Sequence, residues 1–128
     1  MYLGNTQITT VDNYAFQNCS ALTYITLPST VTSVGSNAFK GCSSLVSLTL
    51  PDGVTSIGDD AFSGCSALAA FTLPSSLTTI GSYAFNGCSQ LSSNTSYKLT
   101  IPQTVTSIGE YNQEIMGKTN VEIIPVIA

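Results

Sequence analysis

The chain has 128 residues with three Lys, no Arg, no His and seven Asp or Glu, for a formal net charge of −4, where a soluble domain usually carries about a quarter charged residues. The absence of His removes Ser-His-Asp and Cys-His catalysis, and Lys40, Lys98 and Lys118 are too scattered to make the basic stripe that nucleic-acid phosphates need. No apolar run reaches the ~18–20 residues of a membrane span, so no membrane insertion is expected, and the opening MYLGNTQITT has neither the basic flank nor the apolar stretch of a signal peptide.

A fixed period organises the whole chain. Cys19, Cys42, Cys65 and Cys88 lie 23 residues apart, as do Phe16, Phe39, Phe62 and Phe85, and Pro28, Pro51 and Pro74 keep the same step. A period of this size signals stacked supersecondary units. Residues 1–21 form a partial first repeat, 22–90 hold three full repeats, 91–118 hold a repeat with a five-residue insertion, and 119–128 supply a terminal strand or cap. The expected domain is one solenoid over 1–128, with about six rungs.

Within each coil, the segment Ile25-Thr26-Leu27 and its equivalents alternate apolar and polar as a half-buried strand does. The strand stops at Pro, which has no N–H for a ladder, so a corner follows. Val54-Thr-Ser-Ile57-Gly58 predicts a second, shorter strand closed by a Gly free to turn with positive φ. Ala-Phe-x-x-Cys, with Phe62 and Cys65 three apart, predicts a 3₁₀ or helical turn that drives both side chains inward. In the first unit Tyr2, Ile8, Val11 and Phe16 fall on the core pattern. The insertion around Ser92–Tyr97 reads as a polar loop. After it, Asn112, Gln113 and Met116 stand where Ala, Phe and Cys are expected, as a terminal cap would, and Pro125 follows Pro102 by 23, making VEIIP a last strand. A single coil cannot bury its apolar residues, so stability is expected from stacking through parallel strands.

The pattern L-x-x-I-x-L-P-x-x-V-T-x-I-G-x-x-A-F-x-G-C-S resembles the 23-residue unit of the BspA-like, treponemal-type leucine-rich repeats, densely over residues 1–109. The resemblance implies a leucine-rich-repeat solenoid with one parallel β-strand per coil, short second strands and 3₁₀ or helical turns. It further implies a non-catalytic role in adhesion or protein binding, at a cell surface, outside the cell or on a virion rather than in the cytoplasm, and it brings no catalytic residues.

The remaining chemistry is sparse. The cysteines form one column along the stack, which cannot converge on a metal ion, so they read as buried thiols acting as small hydrophobes. Asp59-Asp60 occupies the position of Ser36-Asn37 and Ser82-Tyr83 and reads as a solvated turn ahead of a calcium site. Sequons occur at Asn18-Cys19-Ser20 and Asn94-Thr95-Ser96. No cofactor or metal is expected. The candidate binding face for a protein or glycan is the outward side of the strands: Thr23, Tyr24, Thr26, Ser47, Thr49, Ala70, Thr72, Lys98 and Thr100. The alternative is a structural subunit forming a homo-oligomer, filament, or virion appendage or decoration through its ends, where Tyr2, Ile8, Val121, Ile123, Ile124, Val126 and Ile127 are the candidate contacts. An ice-binding face is a distant third, because the threonines are not paired along each strand.

Overall fold

The computed structural model describes residues 1–93, 99–112 and 121–123. In chain order the elements are β1 (Thr10–Val11), β2 (Ser33–Val34), β3 (Ser47–Thr49), β4 (Ser56–Ile57), β5 (Ala70–Thr72), β6 (Thr79–Ile80), α1 (Ser89–Ser93), β7 (Leu99–Ile101), β8 (Ser107–Ile108) and β9 (Val121–Ile123). All the strand pairs are parallel, and between β1 and β6 each pairs with its equivalent one period later.

The apolar positions do what their spacing predicts. Ile25, Leu27, Leu48, Leu50, Phe71 and Leu73 are buried, as are Val31, Val54, Leu77 and the Ala-Phe and Cys positions of the inner coils. Phe16, Phe39, Phe62 and Phe85 form a column of nearly parallel rings with centroids 5.3 to 5.5 Å apart, and Phe71 meets Phe62 and Phe85 edge-on at 5.0 and 5.3 Å. The core is therefore one continuous apolar column, built from a layer of side chains per coil.

The continuous sheet is not the one expected. Among the described residues, the short second strands form a five-stranded ladder, β1-β2-β4-β6-β8, whereas the first strands pair as β3-β5 and β7-β9. The insertion explains the break. It falls between Leu91 and Leu99, directly before β7, while Thr79 regains pairing with Ser107 across the longer interval. In the first two coils the first-strand ladder shrinks to isolated bridges, Tyr2 with Thr26 and Tyr24 with Ser47.

Two registers depart from the period by one residue, and in a strand a single step exchanges the two faces. Tyr2 lies opposite Thr26, not Ile25, so Leu3 packs against the core while Tyr2 is exposed. Ile8 is exposed as well; of the four expected core residues of this unit only Val11 is buried, with Phe16 partly so. At the other end, Thr100 pairs with Glu122 and Ile101 with Ile123. The expected alignment of Pro125 with Pro102 would instead have set Glu122 in the inward column, where a carboxylate is costly.

The closing turn is a third ladder. Ala38, Lys40 and Cys42 donate their N–H groups to carbonyls three residues back, as a 3₁₀ turn does, but Asn37, Phe39 and Gly41 donate to Asp59, Ala61 and Ser63 of the next coil. This alternation needs left-handed residues, and Asn37 (φ 61°) and Gly41 (φ 78°) supply them. Positive φ is thus absent from the Gly that ends each second strand. Gly58 is required for another reason: a Cβ there would stand 2.6 Å from the backbone N of Ser36 in the preceding coil.

Among the described residues, the last partner in this ladder is Asn112. In the inner coils the N–H of Phe16, Phe39 and Phe62 donates to the backbone carbonyl of Ala38, Ala61 and Ala84. Phe85 donates instead to the side-chain Oδ1 of Asn112 at 3.0 Å, and the Asn112 Nδ2 donates to the carbonyls of Gly81 and Gly109 at 3.0 and 2.9 Å. Asn112 is buried, and its amide satisfies groups that would otherwise cost about 1–3 kcal/mol each. Gln113 and Met116 lie outside the described residues.

Candidate functional site

The first-strand face presents neutral hydroxyls on paired backbone. Ser47 stands beside Ala70 and Thr49 beside Thr72, and Tyr24, Thr26, Ser47 and Thr49 line a shallow depression of about 350 Å³. Thr23, Tyr24, Thr26, Ser47, Thr49 and Thr72 are all exposed. The ladder breaks after Thr72, because β5 and β7 are not paired. Thr100 is therefore joined to Glu122 of β9, and Lys98 lies outside the described residues.

A second hydroxyl column, which strand periodicity does not single out, runs along the continuous sheet. The hydroxyls of Thr32, Thr55, Thr78 and Thr106 donate to the carbonyls of Thr9, Thr32, Thr55 and Thr78 at 3.2, 3.3, 3.0 and 3.4 Å. These groups stitch coil to coil and have one donor fewer for a ligand.

The corner after each second strand has a different chemistry. Its middle residue often carries an acceptor for the next coil: Asn13 Oδ1 takes the N–H of Ser36 at 2.8 Å and Asp59 Oδ1 that of Ser82 at 2.9 Å. Asp59 is thus an architectural acceptor, and the described residues contain no group of three metal-ligating side chains. The next residue is left-handed in every coil: Tyr14, Asn37, Asp60, Tyr83 and Tyr111 have φ between 58° and 64°. Tyr83 and Tyr111 stack with centroids 4.4 Å apart at 14°. Desolvation in that stack, then the Tyr111 hydroxyl and the carboxylates of Asp60 and Glu110, push the Tyr83 phenol above its ordinary range.

The cysteine column is inward and chemically quiet. Cys42, Cys65 and Cys88 donate their thiols to the carbonyls of Phe16, Phe39 and Phe62, each at 3.1 Å. Burial pushes the Cys42 thiol up to about 11 and, reinforced by Cys42, the Cys65 thiol up to about 12, so neither supplies a thiolate nucleophile near neutral pH.

Of the expected assembly contacts, Tyr2 and Ile8 are exposed, while Val121 and Ile123 lie on β9 in register with Leu99 and Ile101. Ile124, Val126 and Ile127, like the sequon at Asn94, lie outside the described residues. Asn18 of the other sequon is exposed, with φ 61°.

Repeated coils stacked through parallel strands around a Leu, Phe and Cys column define a leucine-rich-repeat solenoid. The profile of the BspA type leucine rich repeat region matches residues 9–124 in 6 copies. The chain belongs to that family, whose members are generally protein-interaction modules and typically non-enzymatic. Among solved structures it is similar to the T. pallidum leucine rich repeat protein (36% identity, TM-score 0.74, over 80% of this chain and 45% of that one). It is similar also to a leucine-rich repeat protein from Bacteroides ovatus (34%, 0.76, over 91% and 28%) and to a leucine rich cell surface protein from Faecalibacterium prausnitzii (25%, 0.51, over 89% and 33%). The chain spans less than half the length of each of these proteins. Comparison with curated proteins returned no match.

Proposed function

We propose that this chain is a non-catalytic interaction module, displayed at a cell surface, that binds a protein or glycan partner through the exposed face of its first strands. The observation that carries this reading is the register-locked pairing of Ser47 with Ala70 and Thr49 with Thr72 beside exposed Tyr24 and Thr26. A rigid backbone holds the hydroxyls of Ser47, Thr49 and Thr72 at fixed spacing, which lowers the ordering cost of a contact. Surface display follows the description of the Faecalibacterium protein.

The test is a panel of purified glycans and extracellular proteins presented to the native chain and to a Thr49→Gln/Thr72→Gln variant. Gln keeps the face neutral and polar but adds bulk at its centre. A ligand that the native chain holds should bind the variant at least about tenfold more weakly, the loss of about 1.4 kcal/mol at a central contact. Equal affinity for both chains would show that the partner sits elsewhere.

A further inference from the structure

The corner after the second strand carries Tyr14, Tyr83 and Tyr111, three of the chain's six tyrosines, together with Asp12, Asp59, Asp60 and Glu110, four of its seven acidic residues, and no lysine. The tyrosines are badly suited to their backbone. A left-handed φ is tolerated by Asn and Asp, as at Asn37 and Asp60, but is unfavourable for a bulky side chain. The rings fill no part of the core in exchange, and Tyr14, Tyr83 and Tyr111 stay 59, 38 and 49% exposed. Aromatic side chains held on an unfavourable φ outside the core are of the kind that clusters at binding sites.

The chemistry of that compensation is legible from what surrounds the rings. Tyr83 and Tyr111 form a stacked pair, and the backbone ladder sets Glu110 and Asp60 beside it, with Tyr83 N–H donating to the Glu110 carbonyl at 2.8 Å and Asp60 N–H to the Ser82 carbonyl at 2.9 Å. An ammonium ion would meet the charge and be drawn to a ring face, but it has no plane to stack on it. A guanidinium does both, because it is planar, stacks on an aromatic ring and presents a fork of N–H donors to a carboxylate. We propose that this corner docks an arginine-bearing segment of a protein partner, with the guanidinium stacked on the Tyr83–Tyr111 pair and its charge met by Asp60 and Glu110. The proposal goes beyond the sheet-face reading by adding a second surface, on a different segment of each coil.

The experiment is a calorimetric titration of the full chain with an oligo-arginine peptide and a length-matched oligo-lysine peptide, repeated on Tyr83→Asn/Tyr111→Asn. That variant leaves every charge in place and copies the residue found at Asn37, so its thermal midpoint should match or exceed that of the native chain. The expected result is tighter binding of oligo-arginine than of oligo-lysine by the native chain, and a loss of about fivefold or more in oligo-arginine affinity for the variant. A smaller loss, no preference for arginine over lysine, or no binding of oligo-arginine by the native chain would overturn the proposal. The Thr49→Gln/Thr72→Gln chain should bind oligo-arginine as the native chain does, so failure of the corner and failure of the sheet face are separately visible.

Discussion

Replacing Phe62 with Ala is expected to lower the stability of the chain by about 3–5 kcal/mol, measured by chemical denaturation. The ring is fully buried. It stacks on Phe39 at 5.3 Å and on Phe85 at 5.5 Å, and Phe71 reaches it edge-on at 5.0 Å. Removing it breaks the aromatic column at its centre and leaves a void that the hydrogen-bonded coils on either side cannot collapse to fill. A domain of this size has about 5–15 kcal/mol in total, so the variant loses a large share. Phe16→Ala serves as the internal comparison: its ring is only partly buried and stacks on one neighbour, so its loss should be clearly smaller.

Gly58→Ala should be about as damaging, at roughly 3 kcal/mol or more, the upper end of what overpacking costs. The added methyl would meet Ser36 N at 2.6 Å and Gly35 C at 2.7 Å. Both are backbone atoms of a coil already tied down, since Gly58 N–H donates to Val34 at 2.8 Å. Relief therefore requires the two coils to part. Gly64→Ala separates this effect from backbone strain, because Gly64 has φ 78° yet its nearest neighbour to a new Cβ is 3.7 Å away. That change should cost only the left-handed penalty, about 1–2 kcal/mol. Equal losses in the two variants, followed by thermal or chemical denaturation, would show that conformational freedom and not coil contact is what Gly58 provides.

Much of the fold was legible because a repeat multiplies each weak signal. One Phe says little, but Phe16, Phe39, Phe62 and Phe85 at a constant step specify a column, and their rings stack as one. Likewise the alternation at Ile25-Thr26-Leu27 fixed the buried and exposed faces of the first strand. What periodicity hid are contacts between coils, which have no counterpart in local pattern. Gly58 looks like a turn residue and is a close-approach residue. Asn112 looks like the loss of a repeat position and is a side-chain acceptor used where the other coils use a backbone carbonyl. The one-residue steps at Tyr2 and at β9 are set by pairing with the neighbouring coil, Tyr2 on Thr26 and Glu122 on Thr100, and the period by itself does not foretell them. Helix α1 starts in the repeat at Ser89 and Leu91 and runs on through Ser92 and Ser93, the first residues of the segment that reads in sequence as a polar loop.

The candidate surfaces were less legible still. The hydroxyl face of Thr26, Thr49 and Thr72 follows directly from strand alternation. The corner reads in sequence as a solvated turn, because Asn37, Asp60, Tyr83 and Tyr111 share no residue type; what unites them is a left-handed φ. The signal available in sequence was the recurrence of Tyr at a turn position where Asn or Asp is the favoured choice.

The inward column of coils is tested most directly by the rate at which each cysteine of the native chain is alkylated, read by peptide mass spectrometry at mildly alkaline pH. Cys19 is partly exposed, whereas Cys42, Cys65 and Cys88 are fully buried, and burial holds the Cys42 and Cys65 thiols up to about 11 and about 12. The stacked solenoid predicts rapid modification of Cys19 and modification of the other three slower by about a hundredfold or more, because reaction must wait for the coils to open. Comparable rates at all four cysteines in the folded chain would contradict it.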